Sequence, residues 1–115
     1  MQLDTMRSVL NREQLREVTM DDPDLMREIV TALIDDTSRQ ILLLEAAIRE
    51  GDPAKCARLA HYSKGACANV GAETAADLLK HIEQRAHGGN LEDCSVSLAA
   101  LSGEIGRLRS EATEF

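Results

Sequence analysis

Three residues within five positions, His61, Lys64 and Gly65, combine a titratable nucleophile, a fixed cation and a missing side chain. An imidazole is substantially unprotonated near neutral pH and is a competent nucleophile. At i and i+3 on a helix, Lys64 is a surface neighbour of His61, so its ammonium would offset charge on an anionic group reaching the ring. From Pro53 to Ala72 there is no acid, yet Lys55, Arg58 and Lys64 are present in a chain of formal net charge −7. A phosphoryl group is the electrophile such a patch suits.

The helix that must carry these residues opens at Asp52-Pro53 and is broken by Gly71. Spacing residues about 100° apart places Ala54, Ala57, Arg58, Lys64, Gly65 and Ala68 within about 60° of His61. Cys56, Leu59, Ser63, Ala66, Cys67 and Val70 fall on the opposite face and contain the bulky hydrophobes, so that face is expected to meet the core and His61 to meet solvent. An exposed helix face is ordinarily filled with Glu, Lys, Gln or Arg, but around His61 it is small. Gly65 costs about 1 kcal/mol relative to Ala in a helix interior, which suggests clearance for something large approaching the ring. Ser63 points inward, where its hydroxyl would have to bond back to a backbone carbonyl.

A partner for the ring is expected on the next helix, read as about Ala72 to Ala86 with Ala75, Leu78, Leu79, Ile82 and Ala86 inward. If that helix returns antiparallel, the level of His61 falls near Ile82 and Glu83. Ile82 belongs to the core stripe, so Glu83 is the group placed to accept from Nδ1–H and leave Nε2 as the attacking nitrogen. A solvated helix acid is the competing reading of Glu83, and Lys80 and Gln84 are lesser candidates.

The remaining elements follow from caps and periodicity. Asn11, with Gln14 three residues on, caps a short helix with Leu15 and Val18 on one face, expected to lie across the end of something larger. Asp21-Asp22-Pro23 opens a long helix with Leu25, Met26, Ile29, Val30, Leu33, Ile34, Ile41, Leu44 and Ile48 as its stripe, ending at Gly51. Asn90 caps a last helix carrying Leu91, Cys94, Leu98, Leu101, Ile105 and Leu108, which Gly103 and Gly106 weaken toward its end. The prediction is an all-α protein: an antiparallel up-down-up-down four-helix bundle with a short N-terminal helix across one end. Its 115 residues are expected to form a single domain, with residues 1–20 as the capping segment and 23–110 as the bundle.

Composition removes several functions. Tyr62 and Phe115 are the only aromatics, so the core must be aliphatic. The acidic balance argues against nucleic acid, and no apolar run reaches the length of a membrane span. Three cysteines at unrelated spacings, with no signal-peptide pattern at the start, point to reduced thiols in the cytoplasm. Cys56, His61 and Cys67 are spaced unlike a zinc motif and project to opposing faces. His81 and His87 have no ligand partner at helical spacing and read as surface residues.

Ala60-His61-Tyr62-Ser63-Lys64-Gly65, followed by Asn69-Val70-Gly71-Ala72 and later Ile82-Glu83, resembles the histidine-containing phosphotransfer (HPt) domain of multistep two-component phosphorelays. The pattern is His-x-x-Lys-Gly with a further Gly six residues on, and with its flanks the resemblance covers essentially residues 23–110. It implies that His61 is the phosphoacceptor, Lys64 the charge partner of the phosphoryl group and Gly65 the clearance for a receiver domain, with Arg58, Ala57 and Ala68 around them on the docking face. It implies a carrier without kinase or ATPase activity of its own, binding no cofactor, with Mg2+ on the receiver. The expected partners are response-regulator receiver domains and a hybrid sensor kinase, with the protein itself a monomer. Two positions depart from the family pattern: Ser63 stands where a bulky aliphatic is common, and the second helix lacks the Phe often found near its start. The alternatives are a non-phosphorylated helical adaptor using the same face, and a domain phosphorylated directly by a histidine kinase catalytic domain.

Overall fold

The computed structural model describes residues 9–115, and the part of the expected capping segment before Val9 lies outside them. Five helices and no strand occur among the described residues: α1 (Arg12–Thr19), α2 (Pro23–Arg49), α3 (Pro53–Val70), α4 (Glu73–His87) and α5 (Leu91–Ala112). The starts of four of them are the caps expected from sequence. Asn11 accepts from the backbone N–H of Gln14, Asp22 from Asp24 and Leu25, Asp52 from Lys55, and Asn90 from Asp93. Each such cap satisfies N–H groups that the helix leaves open and contributes about 1 kcal/mol. The α4 helix begins instead after Ala72, which has no side chain to cap it.

The four long helices form a closed ring of neighbours, α2 against α3, α3 against α4, α4 against α5, and α5 back to α2. Connections of two or three residues, with Gly51, Gly71 and Gly89 at positive φ, join them. One aliphatic core fills the ring, and Val30, Leu44, Leu79, Ile82, Leu101 and Leu108 are fully buried in it. The Phe-poor second helix is completed by Met26, Val30, Leu33, Ile34, Thr37, Ile41, Leu44 and Ala47. α5 continues through Gly103 and Gly106 to Ala112.

α1 lies across one end of the bundle and is pinned at both of its sides. The backbone N–H of Asn11 donates to the carbonyl of Gly71 at 2.8 Å, and Gln14 Nε2 donates to the carbonyls of Ala68 and Asn69 at 2.8 and 3.1 Å. Gln14 therefore closes the C-terminus of α3 rather than reaching back to its own helix cap. Arg12 pairs with Glu111 and, at 2.9 Å, with Glu114 beyond α5. Gly71 sits at φ +94, and a Cβ there would stand 2.9 Å from the Asn11 carbonyl oxygen. Both the left-handed turn and the close approach of α1 exclude a side chain.

Several inward residues differ from the stripes read in sequence. Val18 is 51% exposed and Leu25 37% exposed, because the short α1 and the first turn of α2 extend past the end of the core. Thr19, not Val18, joins Leu15 beneath α1, its hydroxyl bonding back to the Leu15 carbonyl. Leu59, Val70 and Leu78 are half-buried at the seams between helices, and Ala76 takes a core position beside Ala75.

Candidate functional site

His61 lies near the middle of α3 with 69% of its side chain exposed. The buried residues of the same helix, Cys56, Ala60, Ser63 and Cys67, point away from it. The cysteines are fully buried, and burial pushes the thiols of Cys56 and Cys67 up to about 12 and about 11. They are inert as nucleophiles and are turned from the His61 face.

Glu83, one step past the core residue Ile82 on α4, reaches across to α3. Its Oε2 stands 3.0 Å from His61 Nδ1, and its Oε1 accepts from Lys64 Nζ at 2.8 Å. An ionised carboxylate has no proton to give, so Nδ1 must be the donor and Nε2 is left with its lone pair. The Lys64 ammonium is the main influence holding Glu83 below the usual carboxylate range; partial burial opposes it and His61 assists. With its side chain 17% exposed, Glu83 is the most buried member of the trio and is held by both of the others.

Around this trio the α3 surface is open. Apart from the adjoining backbone of α3, nothing among the described residues lies within 4 Å of a Cβ placed on Gly65, so none of their contacts requires glycine there. Ala54, Arg58 and Ala68 are exposed. Ala57 is not part of the exposed face: it is 4% exposed and forms the floor of a groove between α3 and α4. The small side chains of Ala57 and Ala60 let α4 approach closely, so the buried arc of α3 is wider than its bulky stripe. Ser63 is 1% exposed, as its position requires, but its Oγ has no hydrogen-bond partner among the described residues. The back-bond expected of it is not formed.

Two neighbours were not apparent from the motif. Tyr62, half-exposed beside His61, donates to Asp36 Oδ2 of α2 at 3.2 Å, and Asp36 also pairs with Arg39. His87, at the end of α4, is exposed as expected but has its Nε2 3.8 Å from Glu83 Oε2. The i, i+4 spacing of Glu83 and His87 is the signal that could have identified this contact.

A helical bundle that presents an oriented, solvent-facing imidazole with a cation beside it is a phosphoryl carrier in outline. The model of the Hpt domain matches residues 28–111, and the chain belongs to that family. Its role is histidine phosphotransfer in a phosphorelay. The match covers the four bundle helices except the first five residues of α2 and the last of α5, and leaves out α1. No curated protein matches the chain. Two solved structures share the fold, each at a TM-score of 0.84 and 23% identity. One is the histidine-containing phosphotransfer protein B (HptB) of Pseudomonas aeruginosa PAO1, covering 92% of both chains. The other is a putative histidine-containing phosphotransfer protein from rice, covering 96% of this chain and 81% of its own. Among the described residues no helix is long and apolar enough to cross a membrane.

Proposed function

We propose that His61 carries the phosphoryl group, accepting it at Nε2 from the phospho-aspartate of one receiver domain and giving it to the aspartate of another. The Nε2 lone pair attacks phosphorus, the P–O bond to the donor aspartate breaks, and that carboxylate leaves with the bonding electrons. The Nδ1 proton stays where it is. Phosphorylated at Nε2 and protonated at Nδ1, the ring is a cation, and Glu83 at 3.0 Å is the anion that stabilises it. Lys64, one turn along, offsets charge on the phosphoryl oxygens while its Nζ also anchors Glu83. Transfer through such an intermediate is reversible in principle, since the same contacts serve both directions.

The observation that carries this reading is the His61–Glu83–Lys64 arrangement on an exposed, acid-free stretch of helix. Arg58, Gly65 and Ala68 form the docking face, with Ala57 supporting it from beneath. The divalent cation of the exchange is assigned to the receiver, and the carrier contributes no ATP-dependent chemistry. Receiver domains and the kinase that charges them are the partners; the protein acts as a monomer in the cytoplasm. Incubation with a phosphorylated receiver domain is expected to place acid-labile, base-stable label on the wild type and none on His61→Gln. Equal labelling of the two proteins, or no labelling of the wild type by any receiver that is itself competent, overturns the assignment. Label that requires a kinase catalytic domain and ATP, and never comes from a receiver, would instead identify direct phosphorylation.

A further inference from the structure

α3 carries three fixed cations, Lys55, Arg58 and Lys64, and two of them are matched by carboxylates. Lys55 Nζ stands 3.8 Å from Glu50, the C-cap residue of α2, and Lys64 Nζ is 2.8 Å from Oε1 of Glu83. Arg58 is exposed, and its guanidinium has no hydrogen-bond or ion-pair partner among the described residues. It stands at i−3 from His61, where side chains on a helix are surface neighbours. Helical side chains lean toward the N-terminus, so the His61 ring lies over the turn that holds Ala57 and Arg58. The groove between α3 and α4 agrees with this. Ala54, Ala57, Arg58 and His61 line it with Glu83 and His87, and Arg58 is the fixed cation among these lining residues.

The charges at the acceptor call for such a group. In the resting protein the charges of Lys64 and Glu83 cancel. A phosphoryl group brings about −1.5 to −2 near neutral pH. Glu83 is committed to the Nδ1 side of the ring, and Lys64, which offsets charge on the phosphoryl oxygens, stays tied to Oε1 of Glu83. A donor free to turn fully toward those oxygens therefore has to come from elsewhere. A guanidinium suits the task, because its planar fork meets two oxygens of one phosphoryl group with parallel N–H groups. Ala54 and Ala57, beside Arg58 in the groove, carry nothing beyond Cβ to obstruct it. We propose that Arg58 is a phosphoryl-binding residue of the charged carrier, its guanidinium donating to two oxygens of the group on Nε2 of His61. The contact is with the transferred group itself, beyond any contact with a docked receiver, and it rests on His61 being the acceptor.

The test uses a donor too small to dock, phosphoramidate. Nε2 of His61 forms the new N–P bond, the P–N bond of the donor breaks, and ammonia leaves with the bonding pair, while the Nδ1 proton stays in place. Exposed charges couple weakly, so Arg58→Ala and Arg58→Gln should slow labelling of the full chain, followed by 31P NMR, about two- to fivefold. Arg58→Lys, a point charge without the fork, should recover part of that loss. Arg49→Ala removes the same charge from the groove between α2 and α5, across the bundle, and should keep the wild-type rate. In the wild type, phosphorylation should shift the Arg58 Nε–H signal and slow its exchange with water. Equal rates in wild type and Arg58→Ala, an equal loss in Arg49→Ala, or an Arg58 signal indifferent to phosphorylation overturns the proposal. So does a loss confined to transfer from a phosphorylated receiver, which would make Arg58 a docking residue alone. Wild type labelled by neither donor, or labelled on another residue, overturns the acceptor assignment and this contact with it. Wild type labelled on His61, with the variants unaffected, overturns the Arg58 contact alone.

Discussion

Replacing Glu83 by Gln removes a charge while keeping the shape of the side chain, and the site offers the amide no satisfactory orientation. Lys64 Nζ at 2.8 Å and His61 Nδ1 at 3.0 Å each donate to a different oxygen of the carboxylate. If the amide oxygen stays with Lys64, the NH2 group faces Nδ1, donor against donor, and the ring must move its proton to Nε2. That tautomer has no lone pair where the phosphoryl group arrives. If the amide turns over, its NH2 faces an ammonium. A hydrogen bond to a charged group is worth about 1.5–3 kcal/mol. With His61 mostly exposed, solvent screening reduces the difference to about 1–2 kcal/mol. At about 1.4 kcal/mol per tenfold, transfer from a phosphorylated receiver should slow about five- to thirtyfold in a quenched-flow, single-turnover assay. Stability supplies a second readout. The carboxyl of Glu83 is held low, chiefly by Lys64, from an ordinary value of 4.5. A depressed carboxyl stabilises the fold above its unfolded value, and that contribution disappears as pH falls through the lower folded value. The stability gap between wild type and Glu83→Gln should therefore be full near neutral pH and close in acid. A folded Glu83→Gln protein that transfers within twofold of wild type would refute the orienting role.

Other substitutions separate what the fold needs from what the partner needs. Gly65→Ala should stabilise the protein by about 0.5–1 kcal/mol, seen as a melting temperature a few degrees higher, because the space around Gly65 is open and the helix loses a flexible residue. Gly65→Trp should remain folded by circular dichroism but lose receiver-dependent labelling; normal labelling would remove the clearance role. Ser63→Ala removes a buried hydroxyl with no partner, so denaturant melts should show it neutral or more stable by up to about 1 kcal/mol; a loss above that would reveal an unseen bond. Gly71→Ala should destabilise by about 2 kcal/mol or more, from left-handed strain and the 2.9 Å approach to the Asn11 carbonyl oxygen. Amide exchange in α1 should report that loss first, and an unperturbed α1 would show that the contact does not hold it.

The helices were legible because their ends are written in single residues: Asn11, Asp22, Asp52 and Asn90 as caps, Gly51 and Gly71 as stops. The pairing of Glu83 with His61 was legible for a similar reason, since a short turn fixes the register of two packed helices and the core residue Ile82 fixes the phase. What could not be read was how wide each buried arc would be. Ala57 carries no hydrophobic bulk, and only the close approach permitted by Ala57 and Ala60 buries it. Gln14 illustrates a different gap: its position suits a local capping box, but the open carbonyls of Ala68 and Asn69 compete for it from a distant part of the chain. The motif glycine at Gly71 likewise has a second cause, the backbone of Asn11, which no local pattern contains. The approach of His87 to Glu83 follows from their i, i+4 spacing on α4, a signal independent of any metal-ligand pattern.

The location of the phosphorus atom tests the central claim most directly. The full chain, labelled with 15N in its imidazoles and phosphorylated by a charged receiver domain, should show in 31P–15N NMR one phosphorus bonded to Nε2 of His61, with Nδ1 still protonated. Phosphorus on Nδ1 of that ring, or on His81 or His87, would contradict the account.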